Sequence, residues 1–203
     1  MLSYSKQIGS PSAVISALLI ASQAHFGIKD HEQSEQYADE AIVKADAAMK
    51  QNDPAGYPTW KSCMLLKGAL LAGKRKWEKA ITVYDQLADT ATKHGDAYFI
   101  MEGHRISGHL YYLRGRLQLA FEKLLLAMVA GSYLEKNIIR QSTFLHAAHL
   151  AAFIGERNKT PEEVSILESQ LQDWIGDDWK ELLAEGSMEN STVKVSNFSF
   201  SIS

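Results

Sequence analysis

Apolar residues recur at helical spacing through most of this chain and stop at short polar breaks. The first apolar run predicts a helix from Pro11 to His25 that breaks at Gly27-Ile28-Lys29-Asp30. Its partner, His31 to Lys50, puts Ala38, Ala41, Ile42, Ala45, Ala48 and Met49 on one face. Asp53-Pro54-Ala55-Gly56-Tyr57-Pro58 closes that pair, because two prolines and a glycine so close together cannot continue a helix. The next pair runs from Thr59, read as an N-cap, to Leu71, turns at Gly73-Lys74-Arg75-Lys76 and returns from Trp77 to Thr92. Gly95 suits a left-handed cap. A third pair follows the same design: Ala97 to Leu113, the turn Arg114-Gly115-Arg116, then Leu117 to Ala130. Tyr133 to Ile154 opens a fourth pair, and Thr160-Pro161-Glu162-Glu163 is a helix-start signal for a segment reaching about Ile175. A short piece from Asp177 to Ala184 ends the helical part. Beyond it the period changes. Val193, Val195, Phe198, Phe200 and Ile202 nearly alternate, which is strand spacing. The expectation is an all-α domain over 1–185 and an extended C-terminal tail over 186–203.

Small residues repeat along these pairs. Gly68, Trp77, Ala80, Tyr84 and Leu87 recur by role at one constant offset as Gly108, Leu117, Ala120, Leu124 and Ala127. Upstream, Ala41, Ala45 and Ala48 precede Ala80, Tyr84 and Leu87 by an offset just one position shorter. A fixed period of this size, about 40 residues, predicts a solenoid in which each helix pair buries its apolar face against the next.

The second and third units resemble tetratricopeptide repeats. In that family a small residue sits on the first helix, alanine lies where the two helices cross, and bulky residues fill the wedge between pairs. Those roles fall on Gly68, Leu71, Trp77, Ala80 and Tyr84, and again on Gly108, Tyr111, Leu117, Ala120 and Ala127. The period is longer than the family's usual length of about 34 residues. The first unit also lacks a recognisable glycine, and no proline closes a repeat after Leu87 or Ala127. The stretch from Gly95 to Arg116 looks like the longer repeats in sensor regions of large bacterial regulators. The resemblance implies a right-handed superhelical solenoid of antiparallel helix pairs, its concave groove lined by the first helix of each pair. By that resemblance the binding residues are Ser62, Leu65, Ala69 and Ala72 from the second unit, and Glu102, Arg105, His109 and Tyr112 from the third. A fourth unit would add Gln141 or Ser142, Leu145 and His149. The third offers a guanidinium that can fork onto a carboxylate and an aromatic tip for rigid contact.

Composition narrows the function. The chain has 203 residues and a formal charge of −3, unevenly spread. Residues 60–140 hold 13 Lys+Arg against 7 Asp+Glu, and 159–190 hold 2 against 9. Two surfaces of opposite sign could steer association. Cys63 is alone, which excludes an internal disulfide and suits a reducing cytosol. The apolar stretch from Ala13 to Ala21 is too short to span a bilayer and has no charged leader, so a buried helix is expected rather than a signal peptide. His146 and His149 share a helix face with His109 near by, but no acidic residue stands at zinc-helix spacing, so no metal is expected. No phosphate loop, dinucleotide fingerprint or nucleophile elbow occurs, so neither cofactor nor catalysis is expected. Lys74-Arg75-Lys76 beside Trp77 reads as a solvated turn, not a nucleic-acid reader, and no helix joins a basic face to exposed aromatics for a membrane.

The expected protein is therefore a cytoplasmic, bacterial, non-enzymatic interaction module: an adaptor, chaperone or scaffold part that binds a protein or peptide. A sensory module answering a short peptide signal is the alternative. A third reading is self-association through the tail and the charged ends.

Overall fold

A computed structural model of the chain describes residues 11–131 continuously and, beyond them, separate positions between 133 and 169. Among the described residues the secondary structure is helical: α1 (Pro11–Gly27), α2 (His31–Lys50), α3 (Gly56–Gly73), α4 (Trp77–His94), α5 (Ala97–Leu113) and α6 (Leu117–Gly131). The expected tail over 186–203 lies outside the described residues, as do Gln141, Ser142, Leu145, His146 and His149. The chain divides into two compact units at Lys93/His94.

In the first unit α1 packs on α2, and both pack on α3. Residue pairing gives the directions. Ser22 and Ser34 flank the α1–α2 turn and exchange bonds, each hydroxyl donating to the other's carbonyl at 2.7 Å. Lys67, late in α3, meets Glu35, early in α2, while a Cβ on Gly56 at the start of α3 would stand 2.7 Å from the Met49 nitrogen near the end of α2. Both neighbours of α2 thus run antiparallel to it. Between α3 and α4 the approach is closer still. A Cβ on Gly68 would lie 2.4 Å from Tyr84 Cζ, so only glycine admits the Tyr84 ring at that crossing. Tyr84 is buried, and its hydroxyl donates to the Leu65 carbonyl at 3.5 Å.

The second unit repeats this arrangement. A Cβ on Gly108 would stand 2.8 Å from Leu124 Cγ and 3.2 Å from the Ala120 carbonyl. Ala120, Leu124, Ala127 and Met128 are buried with Met101, and Ala147, Ala151 and Ile154 join the same core cluster. The apolar stripe of α6 is thereby closed by residues of the next segment, as stacking of repeat units requires.

The turns correct the expected register. After α1, Lys29 donates to the Phe26 carbonyl and Asp30 to that of His25; after α3, Arg75 donates to Ala72 and Lys76 to Leu71; after α5, Gly115 donates to Tyr112 and Arg116 to Tyr111. This is the same Schellman turn after each of these three helices; α2 ends in it too, Asn52 (φ 57°) donating to Met49 and Asp53 to Ala48. After α1, α3 and α5 its left-handed residue is Lys29 (φ 63°), Arg75 (φ 56°) or Gly115 (φ 68°), not Gly27 or Gly73. The step from Arg75 to Gly115 equals that from Gly68 to Gly108. The step from Lys29 to Arg75 is six positions longer, and seven longer than the alanines of α2 imply. The extra length lies in the longer α2 and its connector. A slip of seven positions is two helical turns, so an alanine pattern alone cannot expose it. In the corrected register Ser22 stands where Gly68 and Gly108 stand, and Ser34 where Ala80 and Ala120 stand. The Ser22 hydroxyl bonds the carbonyl that glycine elsewhere approaches bare.

One boundary also moves. α3 starts at Gly56, so Thr59 is inside the helix, not its N-cap, and its hydroxyl donates to the Ala55 carbonyl. Pro58 is tolerated there because the first turn's N–H groups have no partner within the helix. The N-cap is Ala55, which has no side-chain cap of its own and whose N–H donates to the Asp53 carboxylate at 2.9 Å.

Candidate binding surface

On α3, Ser62, Leu65, Ala69 and Ala72 follow one another at intervals of three, four and three residues and so share a helix face. All four are half-buried. Ser62 donates to the Pro58 carbonyl one turn back, at 3.2 Å, so its hydroxyl is tied to its own helix. In the corrected register α1 adds Ser16, Leu19, Gln23 and Phe26, which the sequence reading missed. Leu19 and Phe26 pack against a core cluster of Ala38, Leu66 and Leu70. The first unit's face is therefore mostly small and apolar.

The same face on α5 carries different chemistry: Glu102, Arg105, His109 and Tyr112. Glu102 is buried and the other three are half-buried. Arg105 forks onto Glu102, Nε to Oε1 at 3.2 Å and Nη2 to Oε2 at 2.8 Å. The side chains of this pair are only 13% and 10% exposed, so the guanidinium expected to await a carboxylate is already answered by one. Such a pair is held rigid and presents oriented dipoles rather than net charge. Burial, and then the Arg105 charge, push the His109 pKa below the usual histidine value, so the imidazole is neutral at pH 7. Tyr112 packs against the core cluster of the second unit instead of standing free.

A second polar cluster, unforeseen from the sequence, joins α2 to α3. Lys67 bridges Glu35 and Asp39, each at 2.8 Å, and Lys74 pairs with Glu35 and donates to the His31 carbonyl at 3.2 Å. The bonds from Lys67 and Lys74 hold the Glu35 carboxyl down at about 2. Burial pulls the Lys67 pKa down, but the bonds to Asp39 and Glu35 outweigh it and leave the ammonium above its usual range. These partners are far apart in the chain, so no local spacing marks them. Cys63 is wholly buried, and desolvation raises its thiol to about 12, which makes it a packing residue.

Among the described residues no three His, Cys, Asp or Glu side chains gather as metal ligands. No described helix is long and apolar enough to cross a membrane.

Comparison with known proteins agrees with this geometry at the level of fold. No family model matches the chain, and no curated protein does. Among solved structures, the apo form of RapI matches 92% of the chain with a TM-score of 0.61 at 12% identity. The fold is a tetratricopeptide-like helical repeat. The chain spans 55% of the length of RapI.

Proposed function

We propose that this chain is a non-enzymatic interaction module that receives a peptide or an extended protein segment on the α5 face of its second unit. The observation that carries this reading is the α5 face. It holds a rigid ion pair, a neutral imidazole and an aromatic ring at positions whose α3 counterparts are Ser62, Leu65, Ala69 and Ala72. The preceding repeat closes with small residues there, and α5 places polar groups at the same positions. Buried, oriented polar groups beside apolar surface are what a peptide backbone and its side chains require.

An adaptor, chaperone or scaffold role fits this surface, with the client chosen by α5. The regulatory reading is supported by the likeness to RapI, whose solved form is described as apo and so names a ligand-free state of that protein. Under it, the ligand is a short signal peptide and the output passes to an effector.

The test is selection of binders from a displayed random-peptide library on the full chain. Arg105→Glu alone is a poor probe, because it sets two carboxylates side by side in a half-buried site. The exchange E102R/R105E keeps a pair and reverses its direction. Combined with Y112A, it should weaken selected peptides at least tenfold while leaving helicity unchanged. Peptides that bind this triple variant as well as the parent would remove α5 from the site.

A further inference from the structure

The Glu102–Arg105 pair on α5 keeps hydrogen-bonding capacity of a particular kind. A guanidinium carries more N–H donors than the fork through Nε and Nη2 engages. Each Glu102 oxygen accepts one bond of the fork and keeps a second lone pair. Among the described residues neither side chain makes another hydrogen bond. The pair is therefore a donor beside an acceptor, with no net charge. It is also recessed, its side chains 13% and 10% exposed, so a projecting side chain reaches it where a main chain laid along the helix does not. His109, one turn further on, is neutral as well, because burial and the Arg105 charge both oppose its protonation. The α3 counterparts of the pair, Ser62 and Leu65, cannot form one, so whatever this pair selects is a property of the second unit.

We propose that the group received at this pair is a neutral carboxamide, the side chain of an Asn or Gln in the bound segment, and not an acid or a base. The assignment rests on α5 being the receiving face. A carboxamide is an acceptor beside a donor: its oxygen takes an N–H from Arg105 while its NH2 group donates to Glu102. Charge sets the alternatives apart. A carboxylate gains from Arg105 what it loses to Glu102, and nothing then offsets the cost of taking it out of water. An ammonium meets the same balance with the signs reversed, and a neutral His109 supplies no counter-charge to an acid. An arginine standing alone would choose the acid. Glu102 is thus the residue that sets the preference, by cancelling the charge that would otherwise decide it.

The test measures, by fluorescence anisotropy on the full chain, the affinity of peptides selected from the displayed library. Peptides whose binding falls with the E102R/R105E/Y112A exchange should hold Asn or Gln at one position. Replacing that amide by the matching acid, Asn by Asp or Gln by Glu, changes charge with almost no change of shape and should weaken binding about tenfold or more. Glu102→Gln leaves Arg105 without its counter-charge and should reverse the order, so that the acid binds at least as tightly as the amide. The same replacement elsewhere in the peptide should show no reversal, which separates a local effect from the overall charge of the chain. The parent measurements decide the matter by themselves if Glu102→Gln lowers stability. Peptides that depend on α5 but carry an acid at that position, or prefer an amide at none, would overturn the inference and leave α5 as the site. An acid penalty that survives in folded Glu102→Gln would overturn it equally. Peptides indifferent to the α5 exchange would remove the site and this inference together.

Discussion

Replacing Gly68 by alanine tests the packing that defines the repeat. The new Cβ would lie 2.4 Å from Tyr84 Cζ and 2.7 Å from both Cε atoms, where ordinary contact begins at 3.4 Å. Tyr84 is 1% exposed, so its ring cannot swing away and the helices must part. Overpacking of this kind costs about 1–3 kcal/mol, and three rigid ring atoms place it at the upper end. Alanine regains about 1 kcal/mol through its better helix propensity, leaving a net loss of about 2 kcal/mol. At about 2–4 °C per kcal/mol for a chain of this size, the melting temperature should fall by about 4–8 °C. Gly73→Ala is the control, since nothing lies within 4 Å of its Cβ, and it should be neutral or slightly stabilising. In Gly68→Ala with Tyr84→Leu, which imports the ring's replacement from the next repeat, the coupling energy should reach about 1 kcal/mol or more. Urea denaturation followed by circular dichroism measures all five proteins: the parent, Gly68→Ala, Tyr84→Leu, the double variant and Gly73→Ala. A Gly68→Ala chain as stable as Gly73→Ala would refute the close crossing of α3 and α4.

Two further outcomes follow from the turns and the ion cluster. Glu35 has a folded pKa of about 2 against an ordinary value of 4.5, so its contribution is complete above pH 4.5 and is lost as the pH falls through 2. After allowance for solvent screening, Glu35→Gln should lower neutral-pH stability by on the order of 2 kcal/mol and flatten the acid limb of the stability curve between those values. An unchanged limb would show that Lys67 and Lys74 do not hold that carboxylate. Arg75 occupies a left-handed position that Gly115 fills in the following repeat. Arg75→Gly should therefore stabilise by about 0.5–1 kcal/mol, and Gly115→Ala should destabilise by a similar amount, in the same denaturation assay.

Much of the fold was legible because Gly68 and Gly108 have no other reason to sit at matching places inside successive apolar helices. The starts of α2 and α5 followed from the polar breaks before them; the caps themselves, Asp30 and Asp96 accepting from the Gln33 and Phe99 N–H groups, are seen only in the structure. The register of the first pair was not legible. Its alanines recur every turn or two, and only the left-handed turn residues fix the count. Lys29 and Arg75 do not advertise that role as Gly115 does. The start of α3 was hidden by Pro58, which reads as a breaker but is harmless in a first turn. At the site, Glu102 and Arg105 were both visible as candidates, yet their three-residue spacing is what turns them toward each other and away from a ligand's carboxylate. The bridge from Glu35 to Lys67 and Lys74 depends on tertiary contact alone.

Hydrogen–deuterium exchange of the full chain, with and without a display-selected peptide, decides whether α5 is where a ligand is received. Slower exchange in Ala97–Leu113 on peptide addition, lost in the E102R/R105E/Y112A variant, is the predicted result. Protection confined to α4 or α6, with none on α5, would contradict it.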